Sequence, residues 1–248
     1  MLHSIAGGRL VGSRFGSSTP GVLALPGWSR THRDFDAVLA PADGEPLDAI
    51  ALDLPGFGAA PPPPEAWGTA EYADFISPVL DEMTPRIVVL GHSFGGRVAV
   101  HLAAARPDVV GALVLTGVPE LLPGAPRPRA PLRFRTARRL NRWGILSDRA
   151  MEAARQRHGS ADYRESEGVM RAVLVKTLAE SYEDQLAAIH CPISLVWGDD
   201  DTAAPVSVAE ELVRIHPGAS LTVCPGAGHL TPLTVPAALR RAVADAQA

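Results

Sequence analysis

Short, wholly apolar runs alternate along the chain with longer stretches in which apolar residues recur every three or four positions. Wholly apolar runs are typical of strands covered on both faces, and the longer period is typical of helices with one buried side. The pattern predicts strands at 22–25, 49–52, 87–90, 112–115, 193–197 and 220–224, and helices near 33–40, 70–82, 95–105, 206–215 and 235–246. We therefore expect an α/β fold, a doubly wound and mostly parallel sheet, with an antiparallel hairpin edge at 9–15.

One long interval, 119–188, breaks this alternation because it holds no good buried strand. It begins with Pro- and Arg-rich sequence and continues with helical patterns. A long insertion between two strands is typical of a functional cap. We expect a core domain formed by 1–118 and 189–248, with a helical cap at 119–188. The cap should lie over the carboxyl edge of the sheet, where open α/β folds bind their ligands.

The segment after the predicted strand at 87–90 carries the clearest chemical signal. It reads Gly91-His92-Ser93-Phe94-Gly95, and a helical stretch follows directly. A serine between two glycines at a strand-to-helix turn is typical of an exposed nucleophile, because the turn strains the serine backbone and leaves no room for neighbouring side chains. We therefore predict that Ser93 is a catalytic nucleophile. The backbone N–H of Phe94, at the start of the helix, is expected to stabilise an oxyanion.

A serine hydroxyl needs a base to remove its proton, and His229 is the best placed of the eight histidines. It follows the last predicted strand in a glycine-rich loop that can reach the edge of the sheet. His101 is expected to pack within a helix, and His92 to point away from the site. Four of the other histidines are interpreted as surface or helix-end residues: His32, His158, His190 and His216.

The acid that orients the base is expected in the loop after the predicted strand at 193–197, which reads Asp199-Asp200-Asp201. Asp201 is the preferred residue because it stands far enough past the strand end to turn inward. Asp199 and Asp200 stay open as alternatives. A carboxylate after the earlier strand, Glu120, is a less favoured candidate.

The loop after the first buried strand, Leu25-Pro26-Gly27-Trp28, is expected to complete the oxyanion hole. Its most suitable donor is the backbone N–H of Trp28, which would act together with that of Phe94. Trp28 can also pack as an aromatic side chain beneath the cap, and the two roles are compatible.

Taken together, these segments resemble the α/β-hydrolase superfamily over nearly the whole chain. The resemblance rests on the loops at 25–28, 53–58, 91–96, 198–205 and 226–229, and it implies a Ser93, Asp201, His229 triad in the chain order of that fold. Many relatives have His-Gly where this chain has Pro26-Gly27. Arg97 also occurs in relatives that perform eliminations, although an arginine paired at the helix surface is the preferred interpretation.

Composition and charge exclude several function classes. The chain has 248 residues and a formal net charge of −4, which argues against a nucleic-acid partner. No apolar run reaches the roughly 18 residues of an integral membrane segment, and the first residues lack the pattern of a secretion signal, so we expect a cytoplasmic protein. Cys191 and Cys224 fit small buried side chains, and no metal or other cofactor pattern is present. The sequence leaves the oligomeric state open.

An arginine cluster in the predicted cap bears on the substrate. Its members are Arg127, Arg129, Arg133, Arg135, Arg138, Arg139 and Arg142. They could attract an anionic substrate, an acidic partner or a membrane surface, but a solvated cap helix is the preferred interpretation. Phe134, Trp143, Ile145 and Leu146 are expected to form the apolar face that packs down.

The main hypothesis is a serine hydrolase that cleaves an ester or another activated acyl bond of a small molecule through an acyl-enzyme on Ser93. Carbon–carbon bond hydrolysis or lyase chemistry with the same triad is the alternative within catalysis. A non-catalytic ligand-binding protein on the same scaffold is the alternative outside it.

Overall fold

A computed structural model of the protein describes residues 2–119, 121, 122, 136, 139, 140, 143, 147, 150 and 161–248. Among them, eight strands form one sheet. They are β1 (Leu2–Ile5), β2 (Leu10–Phe15), β3 (Val22–Leu25), β4 (Ala49–Asp53), β5 (Ile87–His92), β6 (Val110–Thr116), β7 (Ile193–Gly198) and β8 (Ala219–Cys224). Their order across the sheet is β1-β2-β4-β3-β5-β6-β7-β8. From β4 to β8 in this order, all neighbouring strands are parallel. β1 and β2 are antiparallel, and β2 corresponds to the edge predicted at 9–15, whereas β1 lies outside those bounds.

The central strands are buried on both faces because their side chains alternate between two hydrophobic clusters. In β3, Leu23 and Leu25 belong to one cluster, while Val22 and Ala24 belong to the other. β4 and β5 follow the same period of two. The sheet is therefore covered on both sides, which explains why these strands are apolar along their whole length.

Helices cover the two faces. They are α1 (Asp36–Leu39), α2 (Thr69–Ile76), α3 (Phe94–Ala105), α4 (Ala161–Glu165), α5 (Gly168–Thr177), α6 (Glu183–Ala188), α7 (Val206–Ile215), α8 (Thr231–Thr234) and α9 (Pro236–Gln247). α2, α3 and α7 pack on one cluster, and α1 and α9 on the other. Every described helix is too short or too polar to cross a membrane.

Three expectations about individual elements are wrong in detail. The predicted helix at 70–82 is α2 followed by a 3-10 helix, Ser77–Glu82, because Pro78 lacks the N–H that a continuing α-helix needs. The predicted helix at 33–40 likewise divides into a 3-10 helix, His32–Phe35, and α1. β8 is not buried on both faces, since it is the outermost strand and Val223 is 42% exposed.

The interval between β6 and β7 is helical where the structure describes it, in α4, α5 and α6. The division into a core and a separate cap stays a prediction. Most of the arginine cluster, together with Phe134, Ile145 and Leu146, lies outside the described residues. Arg139 is described, and its guanidinium lies 4.4 Å from the centre of the Trp143 ring. Trp143 is 55% exposed, so its predicted place on a buried apolar face is wrong.

Candidate active site

Ser93 stands alone between the end of β5 and the first residue of α3, with φ 51° and ψ −115°. This left-handed backbone is costly for any residue with a Cβ. Two glycines make the turn possible. A Cβ on Gly91 would lie 2.5 Å from the Cα of Gly96, and a Cβ on Gly95 would lie 2.1 Å from the carbonyl oxygen of Leu25. The two glycines therefore pack directly against backbone, and the half-buried Ser93 stands between them at the carboxyl end of β5.

The structure brings together the three residues that the sequence nominated for catalysis. The Nε2 atom of His229 lies 3.1 Å from the Ser93 hydroxyl oxygen. On the other side of the ring, Nδ1 lies 2.8 Å from Oδ2 of Asp201. Because an ionised carboxylate only accepts hydrogen bonds, Nδ1 carries the proton in the neutral ring and Nε2 is free to accept the serine proton.

Asp201 is buried, with an exposed fraction of 3%. Its second carboxylate oxygen, Oδ1, accepts hydrogen bonds from the N–H groups of Ala203 and Ala204 at 2.9 and 2.8 Å. These two bonds fix the direction of the carboxyl group and satisfy the oxygen that His229 does not use. The acid is therefore held rigidly towards the histidine.

The alternative acids are placed differently. Asp199 is exposed, and its carboxylate accepts a hydrogen bond from the N–H of Gly226 at 2.7 Å. Asp200 is also exposed, and its backbone N–H donates to the carbonyl oxygen of Ala227 at 3.0 Å. Glu120 lies outside the described residues. Of the three consecutive aspartates, Asp201 is the one whose carboxylate contacts His229.

The loop after β3 packs directly against the serine turn. A Cβ on Gly27 would lie 3.2 Å from the Cβ of Ser93. The rings of Trp28 and Phe94 meet edge to face with centroids 5.4 Å apart, and the Phe57 ring contacts both. Phe94 begins α3, so its N–H has no carbonyl one turn earlier in the helix. Among the described residues, no backbone acceptor binds the N–H of Trp28 or of Phe94.

His92 lies against the site, contrary to the expectation that it points away. It is 1% exposed, and its Nε2 lies 2.9 Å from the backbone carbonyl oxygen of His229. Burial lowers the pKa of His92 to about 4, with a smaller contribution from the nearby His229. A signal was present in the sequence, since period-two alternation along β5 places position 92 on the sheet face of Val88 and Leu90. That face also packs Ala227 of the His229 loop.

His32 is another histidine whose predicted surface position is wrong, although it does begin a 3-10 helix. It is 7% exposed, and its Nδ1 lies 2.8 Å from Oδ1 of Asp53 at the end of β4. The same oxygen accepts the backbone N–H of His32, and Oδ2 accepts the N–H of Ala59. Asp53 therefore ties the segment that follows Trp28 to the end of the neighbouring strand.

Arg97 does not lie at the helix surface as expected, since it is 5% exposed. Its guanidinium donates to the carbonyl oxygen of Pro119, just after β6, at 3.2 Å, and to that of Thr177, at the end of α5, at 3.3 Å. α3 therefore holds the beginning and the later part of the segment between β6 and β7. Among the described residues, no three His, Cys, Asp or Glu side chains converge as metal ligands would.

Comparisons with known proteins agree with the fold. The family model described as the alpha/beta hydrolase family matches residues 22–242. A 2-hydroxy-6-oxononadienedioate/2-hydroxy-6-oxononatrienedioate hydrolase of Cupriavidus pinatubonensis is 28% identical over 88% of this chain and 81% of its own. An esterase of Mycobacterium tuberculosis is 30% identical over 82% of this chain and 76% of its own. The structure of a thermophilic esterase from Thermogutta terrifontis, 25% identical, superposes with a TM-score of 0.67 over 95% of this chain and 92% of its own.

Proposed function

The chain belongs to the α/β-hydrolase family and is an enzyme of that family, and we propose that it cleaves an ester or another activated acyl bond through an acyl-enzyme on Ser93. The observation that carries the proposal is the continuous chain of contacts from the Asp201 carboxylate through His229 to the Ser93 hydroxyl. In this arrangement each group has a distinct part in the reaction.

In the first half of the reaction, the Ser93 oxygen attacks the substrate carbonyl while Nε2 of His229 takes the hydroxyl proton. The Asp201 carboxylate stabilises the resulting imidazolium. The N–H groups of Trp28 and Phe94 are the proposed donors to the oxyanion. When the tetrahedral intermediate collapses, the alcohol leaves with the proton from His229, and the acyl group stays on Ser93.

In the second half, a water molecule replaces the departed alcohol. His229 takes one proton from this water, and the oxygen attacks the acyl carbon. Collapse of the second intermediate returns the proton to the Ser93 oxygen and releases a carboxylic acid. An anionic acyl substrate stays a prediction from the arginine cluster of the cap.

Labelling with a fluorophosphonate tests the acyl-enzyme proposal, because this reagent phosphonylates an activated serine. We expect the intact mass to rise by one adduct in the wild type and in Ser207→Ala, a control at an exposed serine of α7. Ser93→Ala should stay unlabelled. A folded wild-type protein that labels no better than Ser93→Ala would falsify the proposal, and saturable ligand binding without an adduct would then favour the non-catalytic alternative.

Carbon–carbon bond hydrolysis is the second candidate, and the observation that favours it is the similarity to the Cupriavidus dienedioate hydrolase. The test compares a 2-hydroxy-6-oxo-dienoate with a series of p-nitrophenyl esters of increasing acyl length. Ser93-dependent turnover of the esters alone supports the esterase assignment. A kcat/KM for the dienoate at least tenfold above that of the best ester would assign the enzyme to carbon–carbon hydrolysis instead.

A further inference from the structure

His92 occupies a junction between three segments of the site. It is the last residue of β5 and is followed directly by Ser93. Its Nε2 contacts the backbone carbonyl oxygen of His229 at 2.9 Å. On the opposite side of the ring, a Cβ on Gly27 would lie 2.9 Å from Nδ1. The imidazole therefore fills the space between the loop of the proposed oxyanion donors and the loop of the proposed base.

The hydrogen-bond partner of His92 defines which nitrogen carries its proton. A carbonyl oxygen only accepts hydrogen bonds, so Nε2 must be the protonated nitrogen and Nδ1 must carry the lone pair. Among the described residues, Nδ1 has no hydrogen-bond partner. Burial also lowers the pKa of His92 and keeps its ring neutral. A positive charge on the neighbouring His229 is therefore not repelled by a charge on His92.

The loop that carries His229 needs such an anchor because it is rich in glycine. It runs from Pro225 to Gly228, and Gly226 adopts a φ of 70°. Glycine is permissive in backbone conformation, so the loop has little intrinsic preference for one path. A contact at the carbonyl of His229 itself limits where its imidazole can lie relative to Ser93.

We propose that His92 is a positioning residue, whose Nε2–H holds the backbone carbonyl of His229 and thereby keeps the His229 imidazole at hydrogen-bond distance from the Ser93 hydroxyl. The inference rests on the proposed function, since it assigns His92 a part in the same reaction. His92 is buried and has no contact with bulk solvent, so its effect is on the rate of the chemical step and not on substrate binding.

Two substitutions of His92 distinguish the effect of the N–H donor from the effect of the imidazole ring. His92→Leu keeps an apolar side chain of similar volume but removes the donor. His92→Gln places an amide N–H where Nε2 stands and removes the ring and its titration. With a p-nitrophenyl ester that the wild type turns over, we expect kcat of the Leu variant to fall about 10- to 100-fold, as for misplaced catalytic groups, while KM changes less than about threefold. The Gln variant should recover at least tenfold of that loss.

The pH dependence of kcat/KM distinguishes positioning from direct proton transfer. Its acid limb reports the base of the free enzyme, which is His229 in this proposal. We expect the midpoint of that limb to stay in place in both variants, because neither removes a charge. A Leu variant with the kcat of the wild type, or a Gln variant no better than Leu, would overturn the inference. Loss of the acid limb in both variants would do the same.

Two further measurements keep the inference testable on its own. His92→Asn, whose shorter amide cannot reach the carbonyl of His229, replaces His92→Leu if that variant does not fold, and the same loss of kcat is expected. Nitrogen-15 NMR of the wild type should show the His92 ring neutral, with the proton on Nε2, from pH 8 down to 5. A ring protonated on Nδ1 contradicts the inference even in an inactive protein. A wild type without Ser93-dependent turnover contradicts the proposed function instead.

Discussion

Asp201→Asn changes the shape of the side chain very little, yet the geometry predicts a large loss of kcat/KM. In the wild type, Oδ1 accepts the N–H groups of Ala203 and Ala204, while Oδ2 faces Nδ1 of His229. The asparagine oxygen is expected to keep the two backbone bonds, because an NH₂ group in that place would face two donors. Its NH₂ group would then face His229, where only an acceptor fits the active tautomer.

Two effects determine the magnitude. First, the imidazolium that forms during the reaction loses its carboxylate partner. At an effective dielectric constant near 20, opposite charges 4 Å apart interact by about 4 kcal/mol, which corresponds to about 10³-fold in rate. Second, the NH₂ group favours the tautomer with the proton on Nε2, which cannot accept the proton of Ser93. We therefore expect kcat/KM to fall between about 10³- and 10⁴-fold.

The assay is hydrolysis of the best p-nitrophenyl ester at neutral pH, with urea unfolding to show that the variants are folded. Asp200→Asn is the matched control, because it makes the same change on an exposed neighbouring carboxylate. It should keep kcat/KM within about threefold of the wild type, as is usual for a solvated surface carboxylate. A loss of less than tenfold in folded Asp201→Asn, or a larger loss in Asp200→Asn, would refute the reasoning.

Three further predictions concern stability. The free energy of unfolding of Ser93→Gly should be about 1 kcal/mol higher than that of Ser93→Ala, because the left-handed backbone strains any residue with a Cβ. Equal free energies of unfolding of the two variants, measured with urea, would contradict this. The free energy of unfolding should fall by about 3 kcal/mol between pH 6.5 and 4 on account of His92. Its pKa is lowered to about 4 in the fold, so the unfolded chain binds the proton at a higher pH than the folded chain does. Urea unfolding at several pH values should show that the free energy of unfolding of His92→Gln falls by about 3 kcal/mol less over this pH range than that of the wild type. An equal fall in the two proteins would contradict the prediction. Arg97→Met should lower the free energy of unfolding by about 3 kcal/mol, because it leaves the carbonyls of Pro119 and Thr177 without their charged donor. A change below about 0.5 kcal/mol would show that these two hydrogen bonds do not stabilise the fold.

Much of the fold could be predicted because the strands carry a local signal. The buried strands are apolar along their whole length, and α7 has the predicted bounds, 206–215, directly after Pro205. β1 was missed because its four residues, Leu2–Ile5, contain no apolar run. The exposure of β8 could not be read from its sequence either, because the position of a strand in the sheet depends on pairing between distant segments.

The site could be predicted in outline because the carboxyl ends of parallel strands meet at one edge of the sheet. This rule brings Ser93, Asp201 and His229 into one region, while their catalytic roles stay a proposal. It does not choose among three consecutive aspartates, since that depends on the path of the loop. Asp201 turns inward where its N–H lies 3.4 Å from the carbonyl oxygen of Gly198 and its carboxylate caps the next turn.

The predicted side-chain directions of His92 and Arg97 were wrong for a related reason. Both side chains have partners that lie far away in sequence, at His229 for one and at Pro119 and Thr177 for the other. Local periodicity can place such a residue on a strand or helix face, but it carries no information about an acceptor contributed by a distant loop. Buried polar residues therefore need the tertiary structure before their roles can be assigned.

The energetic cost of three features of the site supports the proposed catalytic role of Ser93 and His229. Ser93 has a strained backbone, His92 has a buried nitrogen without a partner among the described residues, and Asp201 has a carboxylate removed from solvent. Each feature opposes folding, and a fold optimised for stability alone would replace all three. Their joint occurrence within one chain of contacts requires a compensating benefit. The proposed transfer of a proton from Ser93 to His229 would provide one, and Ser93→Gly and His92→Gln measure two of these costs separately.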